Sequence, residues 1–366
     1  MSRAALSNGE RFGAAVVEPA DEQEVASILR NANENGLGVI PTGGGTKLDW
    51  GNPPRRADVM LSTRRLNRIL EHAWADLTVT VEAGCTVAEL QHTLAQHGQR
   101  LAIDPLWPEC ATIGGILSTN DSGSLRLGYG ALRDLIIGVT LVLADGTIAK
   151  SGGKVVKNVA GYDLPKLATG GFGTLGVIAR AVFRLHPLPR NTRTLTIAVE
   201  SANAMQRVIL AILNAQLVPA AMQARNGSVD ILLEGTLDGI AAQQSAIKEF
   251  GEVREGSPDV WKAREELWGE GTIVKFTTLP SQMAAASAFF SSFVIQATGI
   301  GYARFDGDLE GLRRAMEQGG GSLVILGGTT LDAWGSPGDA LPLMRAVKAQ
   351  FDPKGTLNPG RFVGGI

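Results

Sequence analysis

The sequence predicts an α+β protein of two domains, a mixed α/β N-terminal half followed by a ferredoxin-like domain. Its 366 residues exceed the span of one typical domain, which is roughly 100–200 residues. Up to His186, amphipathic helical segments alternate with apolar strands. Beyond it, the predicted elements follow the order β-α-β-β-α-β, which is the ferredoxin-like pattern. The proline-bearing segment 186–189 marks the boundary between the two halves.

The first predicted helix spans residues 20–35, because apolar side chains recur among charges at helical spacing, and Gly36 ends it. Residues 37–40 are a strand, and 43–46 are the turn that follows it. Apolar and polar side chains alternate over 77–83, which predicts a half-buried strand.

A second helix is predicted over 86–97, with Thr86 as its N-cap. The apolar runs 134–144 and 177–184 predict two further strands, and Asp145-Gly146 is a turn signal after the first of them.

The second domain is predicted from alternating short strands and helices. The strands are 194–199, 220–225, 228–233 and 251–254, and the helices are 202–215 and 237–250. Additional strands at 272–277, 301–305 and 322–326 separate two more helices.

Composition and charge exclude several classes of protein. A net charge of −2 argues against a nucleic-acid-binding protein. No apolar run approaches the roughly 20 residues of a membrane span, and residues 1–10 lack the apolar core of a secretory signal. Cys85 and Cys110 are too few to ligate an iron–sulfur cluster or a structural zinc by themselves. These features predict a reduced, cytoplasmic protein.

Two glycine-dense segments, 41–47 (PTGGGTK) and 111–115 (ATIGG), are the main functional signal. Glycines permit positive φ and let backbone N–H groups converge on an anion, so both segments suit a bound dinucleotide phosphate. Each segment taken alone is also explained by a tight turn or by close backbone packing.

Six motifs together extend this signal into a family resemblance. The glycine segments, Val81-Glu-Ala-Gly84, the 157–163 run KNVAGYD, the 173–178 run GTLGVI and the C-terminal 352–360 run DPKGTLNPG are arranged as in the FAD-binding (PCMH, vanillyl-alcohol-oxidase type) family. Within its glycolate and D-lactate dehydrogenase branch, the chain most resembles the E subunits of bacterial glycolate oxidases. The resemblance is dense over residues 1–187 and the C-terminal segment, and weak between them.

The resemblance implies a two-subdomain FAD-binding domain over 1–189, an α/β cap domain over 190–340, and a segment 341–366 that returns to the flavin domain. It implies non-covalent FAD. The implied FAD-binding residues are Pro41, Thr42, Gly43, Gly44, Gly45, Thr46, Ala111, Thr112, Gly114, Gly115, Asn120, Gly123, Tyr129, Gly173, Thr174, Gly176, Val177 and Asn358.

Several side chains allow two interpretations. Tyr129 either stacks near the flavin or donates to a carbonyl as a half-buried tyrosine, and Asp134 caps a turn. Lys154 and Lys157 either lie near the flavin ring or are solvated. Arg361 stands where relatives carry lysine.

The histidine content predicts that no metal is bound. Catalytic members of the 2-hydroxy-acid branch carry a histidine-rich metal site downstream of the cap. This chain has four histidines, none of them after His186. His92 and His97 fall on different faces of one helix. No catalytic residue is assigned.

Three functions follow from the resemblance. The first is an FAD-carrying subunit of a glycolate oxidase complex, alongside a catalytic sister flavoprotein and an iron–sulfur subunit. Such a complex could bring this cytoplasmic chain to the inner membrane as a peripheral subunit. The second is a self-sufficient 2-hydroxy-acid dehydrogenase with a base drawn from Tyr162, Asp163 or another group that the sequence does not identify. The third is a structural pseudo-enzyme subunit. Trp261, Trp268 and Trp334 are either interface anchors or core residues.

Overall fold

A computed structural model describes residues 12–153, 162–327 and 331–366. The chain divides into two compact units. The first contains Met1–Asp121, Ala131–Pro187 and Ser336–Ile366, and the second contains Ser122–Gly130 and Leu188–Gly335.

The described residues form strands, α-helices and short 3₁₀ turns. The strands are β1 (Ala15–Val17), β2 (Val39–Thr42), β3 (Val59–Ser62), β4 (Ile69–Ala73), β5 (Thr78–Glu82), β6 (Gln99–Arg100), β7 (Ile136–Val142), β8 (Ile148–Gly152), β9 (Val177–Arg184), β10 (His186–Pro187), β11 (Asn191–Ala198), β12 (Ala221–Arg225), β13 (Ser228–Gly235), β14 (Val253–Glu255), β15 (Thr272–Thr277), β16 (Ser292–Gln296), β17 (Ile300–Phe305) and β18 (Ser322–Ile325). The helices are α1 (Glu22–Glu34), α2 (Val87–Ala95), α3 (Ile113–Thr119), α4 (Arg126–Tyr129), α5 (Leu132–Leu135), α6 (Leu164–Ala168), α7 (Ala202–Asn214), α8 (Leu237–Ile247), α9 (Ala263–Glu266), α10 (Met283–Ser287), α11 (Leu309–Gln318) and α12 (Leu341–Phe351). The 3₁₀ turns are Trp74–Asp76, Lys248–Phe250, Pro258–Lys262, Pro280–Gln282 and Val363–Gly365.

The first unit contains two main sheets. The parallel sheet has the order β1-β3-β2, and the antiparallel sheet has the order β4-β5-β9-β7-β8. Helix α1 begins at Asp21, whose side chain accepts from the N–H groups of Gln23 and Glu24. The apolar face of α1, with Val25 and Leu29, packs in one core with residues of both sheets.

Most predicted elements of the first unit are confirmed, with two differences. Residues 134–135 belong to helix α5, where the Asp134 carboxylate accepts from the N–H of Ala131 and so opens a turn before the strand begins. The segment after Thr112 is helix α3, which the sequence did not predict, and the Thr112 hydroxyl caps it by accepting from the N–H of Gly115. The two glycines there obscured the helical pattern.

The second unit is built on one eight-stranded antiparallel sheet with the order β14-β11-β13-β12-β16-β17-β15-β18. The ferredoxin-like order is present twice, first from β11 to β14 and again from β15 to β18. The two halves are joined edge to edge by β12 and β16, with Gln223 opposite Gln296. The predicted fold class is confirmed, and the extra strands form a second copy of the same motif.

The three tryptophans of interest lie half-buried in this unit. The Trp261 indole donates to the Thr194 hydroxyl at 3.1 Å, and Trp268 lies beside Tyr302, with 6.2 Å between ring centroids. These contacts give Trp261 and Trp268 packing partners inside their own unit. Their use as interface anchors stays a prediction.

No helix in the described ranges has both the length and the apolar character needed to cross a bilayer.

The C-terminal segment is locked into the first unit by a buried ion pair. The Lys348 ammonium lies 2.6 Å from the Asp352 carboxylate and donates to the carbonyls of Thr174 and Leu357. Asp352 in turn accepts from the N–H groups of Thr356 and Leu357. Burial lowers the pKa of Lys348, although Asp352 opposes that shift. One side chain therefore joins α12, the 173–178 segment and the C-terminal tail.

We expect Lys348→Met to destabilise the chain by about 3–5 kcal/mol, because it leaves the Asp352 carboxylate buried without its cation. The measurement is the free energy of unfolding in urea. Lys354→Met is the matched control, since Lys354 is exposed and donates to one carbonyl, that of Asn33. Its expected cost is below about 0.5 kcal/mol. Equal effects of the two variants would contradict a special role for Lys348.

Candidate functional site

A cleft in the first unit collects most of the residues singled out in the sequence. It holds about 690 Å³ of empty space, counting the part open to solvent. The residues that line it are Pro41, Thr42, Gly43, Gly44, Gly45, Thr46, Lys47, Leu48, Thr63, Thr112, Gly114, Gly115, Ser118, Thr119, Phe172, Gly173, Gly176, Val177, Ile178, Asn358 and Arg361.

The first wall of the cleft is the glycine loop that follows β2. Gly45 has a φ of +75°, which a residue with a side chain rarely adopts. A Cβ on Gly43 would overlap the Thr112 side chain, and one on Gly44 would overlap the Cys110 carbonyl oxygen. The loop is therefore glycine-rich because it packs directly against the second glycine segment.

The second wall is the start of helix α3. A Cβ on Gly114 would lie 2.9 Å from the Cβ of Ala83, so this position is fixed by close packing. Gly115 differs, because its Cβ would meet no protein atom nearer than the Thr112 hydroxyl oxygen at 3.2 Å. Gly115 is the position where a side chain fits the fold and still extends this wall of the cleft.

The third wall is the turn before β9. Gly173 has a φ of +67°, and a Cβ there would lie 2.9 Å from the Nδ2 atom of Asn358. Gly176 and Val177 follow it and line the cleft at the start of the strand. The turn before β9 and the C-terminal tail therefore pack closely against each other at Gly173 and Asn358.

The tail closes the cleft through Asn358 and Arg361. The Asn358 backbone N–H donates to the Val39 carbonyl, and its side-chain amide donates to the Phe172 carbonyl at 2.7 Å. The Arg361 guanidinium donates to the carbonyls of Leu48 and Trp50 at 2.6 and 2.7 Å. It also lies 5.3 Å from the centroid of the Phe172 ring. Arg361 therefore fixes the chain that follows the glycine loop.

Two polar atoms of the cleft fit a ligand. The Thr42 hydroxyl and the Asn358 carbonyl oxygen Oδ1 are buried, and neither finds a hydrogen-bond partner among the described residues. A buried polar atom without a partner is costly, and a bound ligand or water would satisfy both of these.

The charge of the lining also fits an anion. Lys47 and Arg361 are the charged residues in the lining, and no carboxylate belongs to it. A dinucleotide diphosphate carries negative charge, and a cationic lining that includes glycine-loop backbone suits it. The glycine-rich shape of the cleft, its two buried polar atoms without partners among the described residues, and its positive charge thus fit bound FAD.

Several predicted cofactor residues do not line the cleft. Ala111 is buried beside it, and Asn120 ends helix α3 in the left-handed conformation with a φ of +48°. The Thr174 hydroxyl donates to the Gly171 carbonyl. Their contact with FAD stays a prediction.

Gly123 and Tyr129 belong to the second unit. There the Tyr129 hydroxyl donates to the Glu234 carboxylate, which matches the interpretation as a half-buried hydrogen-bonded tyrosine. A role for either residue at the flavin also stays a prediction. Lys154 and Lys157 lie outside the described residues.

The sequence reasoning missed other lining residues. Leu48, Thr63, Ser118, Thr119, Phe172 and Ile178 line the cleft without belonging to the predicted set, and so does Lys47. A signal existed for Lys47, which directly follows the glycine loop. For Thr63 there was none, because its place depends on pairing of β3 with β2.

Neither cysteine has the features expected of a residue that bonds covalently to the flavin. Burial raises the pKa of the Cys85 thiol to about 11, so this thiol is protonated at neutral pH. Cys110 is exposed and is not part of the cleft lining. Non-covalent binding stays a prediction. Within the described ranges, histidine, cysteine, aspartate and glutamate form no group of three that could hold a metal ion.

Two segments of the chain match known protein families. Residues 13–152 match the FAD binding domain, and residues 336–362 match the C-terminal domain of FAD linked oxidases. The matches include both glycine segments and the tail that carries Asn358 and Arg361.

Curated relatives share this region. The glycolate oxidase subunit GlcD of Bacillus subtilis is 35% identical across 57% of this chain and 44% of that protein. A D-lactate dehydrogenase of Archaeoglobus fulgidus is 29% identical across 95% of this chain and 91% of that protein. The D-2-hydroxyglutarate dehydrogenase of Xanthomonas citri pv. viticola is 30% identical across 54% of this chain and 42% of that protein. The matches to GlcD and to the Xanthomonas enzyme thus span less than half of each relative.

A solved structure of alkyldihydroxyacetonephosphate synthase has the same fold. It matches 95% of this chain and 77% of its own with a TM-score of 0.71 and 18% sequence identity. The fold, the cleft and the family matches agree. Residues 13–152 match an FAD binding domain and residues 336–362 match the C-terminal domain of FAD linked oxidases, and FAD is the cofactor of this chain.

Proposed function

We propose that this chain is an FAD-carrying subunit of a glycolate oxidase complex, which oxidises a 2-hydroxy acid to the 2-oxo acid. The observation that carries the proposal is what the relatives have in common. Those named above are a glycolate oxidase subunit, a D-lactate dehydrogenase and a D-2-hydroxyglutarate dehydrogenase, and each substrate named is a 2-hydroxy acid.

The chain's own residues supply a binding frame for the cofactor. The glycine loop and the start of α3 line the cleft, while Thr42 and Asn358 offer buried oxygens without partners among the described residues. When bound, the flavin supplies the capacity to accept two electrons from a C–H bond next to a hydroxyl group. The role of this chain is to hold and orient that group.

A subunit role is favoured by what the candidate bases do in the structure. The Asp163 carboxylate pairs with Lys166 at 3.0 Å. Partial burial acts to raise its pKa, but the hydrogen bonds from Lys166 outweigh it, so the pKa of Asp163 lies below its ordinary value. Tyr162 is 92% exposed. Neither residue lines the cleft, so neither is placed to remove a proton there.

One observation favours the alternative of a self-sufficient dehydrogenase. The alignment with the Archaeoglobus D-lactate dehydrogenase covers nearly all of both chains. The glycolate substrate, the sister flavoprotein and the iron–sulfur partner therefore need a direct test. So does a cytoplasmic location with peripheral association at the inner membrane through the complex.

We expect the purified chain to show an oxidised-flavin absorption spectrum that glycolate does not bleach under anaerobic conditions. In the complete complex, glycolate should bleach the flavin and reduce the iron–sulfur partner. Bleaching of the isolated chain by glycolate or D-lactate, with turnover on an artificial acceptor, would replace the proposal by the self-sufficient enzyme. A colourless chain that still restores assembly of the complex would indicate a structural subunit.

A second prediction concerns the cofactor cleft itself. Gly115→Val should fold normally and lose at least about tenfold in FAD affinity, since its side chain extends the α3 wall into the cleft. The measurements are the thermal midpoint and FAD titration of the apoprotein by fluorescence quenching.

Gly239→Val is the matched control. Gly239 occupies the same third helical position, its N–H donates to the capping Thr236 hydroxyl, and a Cβ there would lie 3.1 Å from that oxygen. Gly239 lies in the second unit and does not line the cleft. Unchanged FAD affinity in Gly115→Val would show that the cofactor does not occupy this cleft.

A further inference from the structure

Lys47 forms a buried ion pair at the edge of the cofactor cleft. Its side chain is 5% exposed, and its ammonium nitrogen lies 3.2 Å from the Oδ2 atom of Asp121, whose side chain is fully buried. The ammonium also donates to the Thr46 hydroxyl at 3.3 Å. It lies 5.6 Å from the ring centroids of both Trp50 and Trp107. A buried lysine held by a carboxylate and two aromatic faces is a fixed charge.

The pair joins the two walls of the cleft. Lys47 directly follows the glycine loop, and Asp121 directly follows the left-handed Asn120 that ends helix α3. The Oδ2 atom of Asp121 also accepts from the N–H of Leu106 at 2.9 Å, which fixes the carboxylate. The same walls meet at Gly43 and Gly44 at the other end of the loop.

The two partners differ in their relation to the cleft. Lys47 lines it, whereas Asp121 does not. The other lining cation, Arg361, donates to the backbone carbonyls of Leu48, Trp50 and Asn52. Lys47 is therefore the lining cation that directly follows the glycine loop, and its partner Asp121 offsets part of its charge. At short range in a partly buried site, adding or removing one charge changes the affinity for a charged ligand several-fold.

We infer that Lys47 binds the diphosphate of FAD as a fixed positive charge, and that Asp121 positions this lysine while weakening its attraction for the cofactor. Lysine serves as a point charge for phosphate. This inference concerns cofactor binding and does not depend on which substrate is oxidised, so its failure leaves the proposed 2-hydroxy-acid function untouched.

The inference is tested by binding to the apoprotein, with no measurement of turnover. Asp121→Asn keeps an oxygen acceptor for the Leu106 N–H and removes the opposing charge, so FAD affinity should rise by about threefold or more. The double variant Lys47→Met/Asp121→Asn removes both charges without leaving either one buried alone. Its FAD affinity should fall at least about tenfold below that of Asp121→Asn.

Two smaller probes identify the part of FAD that is recognised. ADP carries the diphosphate without the flavin ring, and riboflavin carries the ring without phosphate. ADP affinity should follow the same order as FAD affinity among the variants, and riboflavin affinity should stay unchanged. Added salt should weaken FAD binding less in the double variant than in the unsubstituted chain.

Lys262→Met controls for net charge, because Lys262 forms an exposed pair with Asp259 and does not line the cleft. It should leave all three affinities unchanged. A merely structural pair predicts that Asp121→Asn lowers both FAD affinity and the thermal midpoint, and that result would overturn the inference. Equal losses of riboflavin and ADP affinity in the double variant would also overturn it, since Lys47 would then act on the ring or on the shape of the cleft.

Discussion

Close approach of two glycine segments is the constraint on which the first unit depends. Gly43 and Gly44 lie against Thr112 and Cys110 so closely that a single added carbon atom would overlap them. This contact brings the end of a parallel strand against the start of helix α3 and leaves backbone N–H groups along a cleft. A cofactor phosphate needs such a lining, so packing and binding impose the same requirement on the sequence.

The C-terminal tail extends this arrangement by reaching back across the whole length of the chain. Leu357 pairs with Val39 in a parallel bridge at β2. Lys348 donates to the Thr174 carbonyl, and Arg361 donates to the Leu48 carbonyl. Asn358 itself has a φ of +45°, a strained conformation that persists when its surroundings fix it. The short family match at 336–362 therefore includes two residues that line the cleft, Asn358 and Arg361.

The second unit is stabilised by an apolar core beneath its duplicated ferredoxin-like sheet. Each half buries an apolar face under its own helices, and the two halves share one core along β12 and β16. Some buried polar side chains of this unit find hydrogen-bond partners within it. Asp230, for example, accepts from Arg225 at 2.7 Å and from Thr196 at 2.8 Å. Such pairing is what allows charged groups to remain inside a sheet protein.

The sequence by itself determined the elements with a strong period, the helix cap at Thr86, the ferredoxin-like order and most of the glycine positions around the cleft, because these depend on local backbone and side-chain chemistry. It left helix α3 unseen, since two adjacent glycines weaken any helical pattern. Only the tertiary structure placed Lys47 beside Asp121, Arg361 on the carbonyls of Leu48 and Trp50, and Tyr129 on Glu234. Lys47 and Asp121 are 74 residues apart, Arg361 and Leu48 are 313 apart, and Tyr129 and Glu234 are 105 apart. Contacts between residues so far apart depend on how the sheets and the tail fold back on one another, which no local pattern encodes.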